Sequence, residues 1–154
     1  MLTRVVIYGL IAGPFLTGAF SLWKGGPAER AGGVSILVIW LATFLGVQAV
    51  SEPGARLWII IASDTVASSV FLYLALRYAN GWLGAAMVLQ GIALSLHGLQ
   101  SAGAGTSDLG YAALINVIGF LVLATICAGT AVSWSRRRSG RGCAPVSARM
   151  VAPG

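Results

Sequence analysis

Five long apolar runs alternate with short polar breaks: Val5 to Trp23, Val34 to Val50, Leu57 to Leu76, Trp82 to Leu99 and Tyr111 to Trp134. The third has 20 residues, which in a helix span about 30 Å, the thickness of the hydrocarbon core of a bilayer. Barrel strands alternate apolar and polar positions. These runs do not alternate, and in lipid a continuous apolar run must close its own backbone hydrogen bonds as a helix. The breaks carry turn chemistry. Lys24 to Gly33 holds Gly25, Gly26 and Pro27, Ser51 to Arg56 holds Pro53 and Gly54, and Arg77 to Gly81 ends in Asn80-Gly81. In the Gly- and Ser-rich stretch from Ser101 to Gly110, Ser107 or Asp108 can cap the fifth helix. Within the first run, Pro14 and the pair Gly9 and Gly13 predict a kink or a close helix contact, and Gly-x-x-x-Gly is also a weak dimerisation signal. The expected fold is an all-α membrane protein: a bundle of five transmembrane helices over 1–134, followed by a basic, disordered cytoplasmic tail over 135–154.

Composition supports this reading. Of 154 residues, 57% are hydrophobic and 9% charged, against roughly 25% charged in a soluble domain. Trp23, Trp58, Trp82 and Trp134 fall at or near run ends, as an interfacial aromatic belt requires, and Trp40 lies inside a run. Net charge is +6, but half of the ten basic residues are Arg136, Arg137, Arg138, Arg141 and Arg149, clustered after the last run. That pattern marks a cytoplasmic juxtamembrane segment that touches anionic lipid, with Arg136, Arg137 and Arg138 as the contacts, rather than nucleic-acid binding.

Charge also orients the chain. With the tail inside, Lys24, Arg30, Arg77 and the tail arginines share the inner side, leaving Arg4 and Arg56 outside. The positive-inside rule therefore places the amino terminus outside and the carboxyl terminus in the cytoplasm of a bacterial inner membrane. The rival reading is a cleaved leader, with Arg4 as its basic region and Ala19-Phe20-Ser21 as a weak cleavage site. It leaves four spans and sends the arginine-rich tail outside, against the charge rule.

Asp64 is the one formally charged side chain inside an apolar run. In the oriented bundle, Gln48, Asp64, Gln90, His97 and Asn116 all fall between the outer surface and about the midplane, whereas the inner half carries only scattered hydroxyls. Asp64 and Ser68 share a helix face, as do Gln90 and His97. Asp64, Ser68, Gln90, His97 and Asn116 are thus the candidates for one hydrogen-bonded cluster that binds a proton, a cation or a polar ligand. An intramembrane acid costs about 2.5–3.5 kcal/mol on insertion scales and marks a functional site by default. The alternative is that Asp64, protonated or bonded to its neighbours, only fixes helix packing. His97 alone reads as an interfacial histidine, Asp108 as a cap, and Glu29 and Arg30 as a solvated loop pair, with an inner Lys24/Arg30 site for anionic lipid headgroups as the alternative.

No phosphate loop, His-Glu-x-x-His pair, Gly-x-Ser-x-Gly elbow or Cys-x-x-Cys is present. One histidine with Cys127 and Cys143 cannot complete a tetrahedral zinc site, and a disulfide between these cysteines is not expected. No metal, cofactor or enzymatic activity is therefore expected. Glu29-Arg30, Asp64, Leu74-Ala75-Leu76-Arg77, and Trp82 with Gln90 and His97 resemble an arrangement found in small uncharacterised bacterial inner-membrane proteins over roughly residues 28–134. That resemblance implies location and no activity. Small multidrug-type exporters are close in size but place their glutamate in the first of four helices, where this chain has no acid. The favoured expectation is a non-enzymatic accessory, assembly or binding subunit in the lipid bilayer, as a homo-oligomer or part of a larger membrane complex. The alternatives are a small oligomeric transporter or channel using Asp64, and a membrane enzyme acting on lipid with Asp64 and His97 as acid and base.

Overall fold

The computed structural model describes residues 2–103 and 107–141. They form five helices: α1 (Leu2–Lys24), α2 (Pro27–Ala49), α3 (Pro53–Tyr78), α4 (Gly81–Ser101) and α5 (Asp108–Arg141). No strand occurs among the described residues. Helices α2, α3 and α4, and Leu109–Ser139 within α5, are long and apolar enough to cross a membrane.

Short connections make successive helices antiparallel. Each packs on its neighbours in sequence, α1 closes against α5, and α2 also touches α5 across the middle. The interior is a narrow seam. On α3 it follows Ala67, Phe71 and Leu74, and on α4 Leu83, Ala86, Gln90, Ala93 and His97. The α4 spacing is the alternating three-and-four step of helices crossing at a shallow angle. Most other apolar side chains point outward, Leu16 (69% exposed), Val38 (60%) and Leu76 (76%) among them. An outward face of this kind is matched by lipid, not by water.

Several boundaries differ from the sequence expectation. Helix α2 starts at Pro27, not near 34, and the break after α1 is only Gly25-Gly26. Proline at the first helical position pre-sets the backbone, and the Glu29 Oε2 accepts the Gly26 N–H at 2.8 Å. Glu29 is therefore not a solvated loop residue; it is 3% exposed inside the first turn of α2. Helix α5 continues through 135–141, where a disordered tail was expected, and residues 142–154, including Cys143 and Arg149, lie outside the described residues. At 34 residues α5 is about 50 Å long, longer than a hydrocarbon core, so its last turns project. The turn expected at Asn80-Gly81 is present, but the left-handed residue is Ala79, with φ 49°. Ser107 caps α5: its Oγ accepts the Gly110 N–H at 3.3 Å.

Gly9 and Gly13 face α5 of the same chain, where an added Cβ would meet the side chains of Phe120 and Leu123. The close approach is thus spent within the bundle, not on a second copy. Trp82 departs from the belt. Its indole fits between Gly32 and Gly129, whose added Cβ atoms would fall 2.9 and 2.5 Å from it. Trp23 (75% exposed) and Trp58 (68%) do face outward.

Candidate functional site

Helices α3, α4 and α5 bring three polar side chains together. His97 lies on the buried seam of α4 and is 1% exposed. Its Nε2 lies 2.8 Å from the Asp64 Oδ2, and its Nδ1 is hydrogen-bonded to the Tyr111 hydroxyl. The Asp64 side chain is 20% exposed. The His97 and Tyr111 rings meet edge to face with centroids 5.7 Å apart. Both ring nitrogens of the histidine are engaged, which fixes the imidazole's orientation.

The elements explain the convergence. Asp64 sits eleven residues into α3, about 16 Å along its axis. His97 is four residues from the end of α4, and Tyr111 three residues into α5. The three groups thus lead from the Ser101–Asp108 end of the bundle toward its middle. The arrangement is self-consistent in two proton states. Tyr111 can donate to Nδ1 while Nε2–H donates to a carboxylate. Alternatively, a protonated Asp64 donates to Nε2 and Nδ1–H donates to the Tyr111 oxygen. The second state holds one proton more than the first, with the Tyr111 hydroxyl hydrogen turned away from Nδ1, so passing from one to the other takes up a proton without moving heavy atoms.

Beside Asp64 lies a cavity of about 170 Å³ touched by all five helices. Its wall is mainly apolar, with Trp40, Ile60, Ile118 and Val122 among its residues, and its polar groups are Thr43, Ser63, Asp64 and Gln90. The Thr43 and Ser63 hydroxyls donate to backbone carbonyls of their own helix. Asp64 and Gln90 are therefore the groups left to meet an occupant. Trp40 is held by Phe15, at 74° and 5.6 Å, and by Phe44, stacked at 5.4 Å.

The five residues singled out from the sequence do not form one cluster. Asp64 and His97 touch, and Gln90 shares the cavity with Asp64. The Ser68 Oγ is buried without a hydrogen-bond partner among the described residues, and Asn116 is half-buried on α5 outside the cavity wall. Gln48 is exposed. Tyr111 was missed: at the start of an apolar run it reads as an interfacial aromatic. The signal that finds it is spacing, because Tyr111, Ile115, Ile118 and Val122 lie at three- and four-residue steps, one inward stripe.

A second polar seam crosses the other half of the bundle, where only scattered hydroxyls were expected. Ser21 and Thr130, both fully buried, are 3.2 Å apart. Ser133 donates to the Glu29 Oε1, and the Cys127 thiol lies 3.5 Å from the Thr17 hydroxyl. Of the basic triplet, Arg137 donates to the Lys24 carbonyl at 2.6 Å, Arg138 lies 4.8 Å from the Trp134 ring, and Arg136 is exposed. Among the described residues no group of three His, Cys, Asp or Glu side chains is placed to hold a metal ion. The chain matches no protein-family model, no curated protein and no solved structure.

Proposed function

We propose that this chain is a five-span protein of a bacterial inner membrane that binds a small, mostly apolar ligand carrying an amine or hydroxyl group. In this reading α1 is the fifth span, the amino terminus faces outward and the arginine-rich end lies in the cytoplasm. The basic residues support the orientation: Lys24, Arg30, Arg77 and Arg136–Arg138 share one end of the bundle and Arg56 the other. The observation that carries the ligand reading is the apolar cavity beside Asp64. Its wall suits a ring or short alkyl chain, and Asp64, backed by His97, offers a carboxylate to the polar group. Catalysis fits less well, because the hydroxyl within reach of His97, that of Tyr111, does not line the cavity in which a substrate would sit. Such a protein serves as a binding or accessory subunit, alone, as a homo-oligomer or within a larger membrane complex.

Calorimetric titration of the full chain in detergent with 2-phenylethylamine, and with 2-phenylethanol as its uncharged counterpart, tests this. Saturable binding of the amine, weakened about tenfold in Asp64→Asn by loss of one charge-assisted contact, is the expected result. Equal binding to wild type and variant, or no binding of either compound, contradicts it.

A second reading, proton-coupled transport, draws on the row Tyr111–His97–Asp64, which connects one end of the bundle with the cavity. Proteoliposomes with an internal pH dye would then show proton entry that is lost in Asp64→Asn while the variant still assembles.

A further inference from the structure

At the opposite end of the bundle, an open cavity of about 270 Å³ lies between the end of α1, the first turn of α2 and the projecting end of α5. Lys24, Arg30, Arg137 and Arg138 line it between Trp23 and Trp134, and no carboxylate does. The acid adjacent in sequence, Glu29, is committed elsewhere: one oxygen accepts the Gly26 N–H and the other the Ser133 hydroxyl. Among the described residues the only ion pair is that of His97 with Asp64. Four cations therefore line one cavity with no carboxylate in its wall, and the Glu29 carboxylate lies near Arg137 behind Gly26.

Three of those cations, Lys24, Arg137 and Arg138, are held in place. The Lys24 ammonium lies 3.9 Å from the centre of the Trp23 ring and 5.2 Å from that of Trp134, with Arg138 on the same Trp134 ring. One arm of the Arg137 guanidinium is tied to the Lys24 carbonyl at 2.6 Å, leaving its other donors available. Like charges held together repel, and an anion of more than one charge relieves that repulsion. The two tryptophans set the depth of the cavity at the headgroup layer. Below it, Leu16, Leu22 and Val132 present exposed apolar surface on α1 and α5, where acyl chains can lie.

We infer that this cavity is a lipid site that takes the paired phosphates of a doubly charged anionic phospholipid, with its chains along α1 and α5. It is separate from the Asp64 cavity and stands or falls independently of the ligand proposed there.

Native mass spectrometry of the full chain in detergent tests the inference with three probes: cardiolipin, which carries two phosphodiesters, phosphatidylglycerol, which carries one, and free pyrophosphate. Cardiolipin should bind about tenfold more tightly than phosphatidylglycerol. Arg30→Gln and Arg138→Gln, both at exposed side chains, should each weaken cardiolipin several-fold, while Arg56→Gln at the other end changes nothing. Equal affinity for the two lipids would overturn the inference, as would retention of wild-type affinity in both single variants. Displacement of cardiolipin by equimolar pyrophosphate would assign the site to soluble phosphate and overturn the lipid assignment.

Discussion

Asp64, His97 and Tyr111 form the polar centre of the half of the bundle nearer the connection from α4 to α5, and their energetics rest on His97. Its imidazole satisfies a carboxylate on one side and a phenol on the other. His97→Ala leaves both without that partner and should destabilise the protein by about 3 kcal/mol, read from unfolding curves in detergent. Tyr111→Phe removes one hydroxyl and should cost about 1 kcal/mol or less. A larger loss for Tyr111→Phe than for His97→Ala would mean that the histidine is not the link. Asp64 and His97 were legible as chemistry because ionisable groups are rare in apolar runs, and the seven-residue step from Gln90 to His97 placed both on one face. That Asp64 and His97 touch was not legible, since it depends on the relative rotation of α3 and α4. Tyr111 escaped notice because an aromatic at a span end has an ordinary interfacial explanation.

Helix boundaries and contacts follow from small residues more than from apolar pattern. The apolar run expected from Val34 hid a helix that begins at Pro27, because Ala28, Gly32 and Gly33 are small and Glu29 reads as polar. Their smallness is the packing. An added Cβ on Gly33 would lie 2.6 Å from the Ser21 Cβ, so α1 and α2 are in near-backbone contact there. Gly129 serves Trp82 in the same way. Gly129→Ala should therefore destabilise the bundle by about 1–3 kcal/mol through overpacking. Gly91 has open space around it, so Gly91→Ala should be neutral or stabilising by up to about 1 kcal/mol, as in any exposed helix interior. Paired unfolding curves of the two variants separate a packing role from a general helix effect, and equal shifts would contradict the Trp82 contact.

At the scale of the whole molecule, five antiparallel helices put unlike chemistry at two levels: a carboxylate–histidine–tyrosine row beside a cavity in one half, and a set of arginines and lysine at the far end. The number of apolar segments and the charge asymmetry were readable from the chain, because each depends on composition over many residues. The cavity was not, because it arises where five separate surfaces fail to fill a common space. Reporter tags at the two ends should fall on opposite sides of the membrane, and tags found in one compartment would remove the five-span threading. The central claim is the buried contact of His97 with both neighbours, and the chain's single histidine makes it directly observable. ¹⁵N spectra of histidine-labelled protein in lipid nanodiscs should show Nε2 shifting in Asp64→Asn and Nδ1 in Tyr111→Phe. A single solvent-like imidazole, titrating identically in all three proteins, would contradict the account.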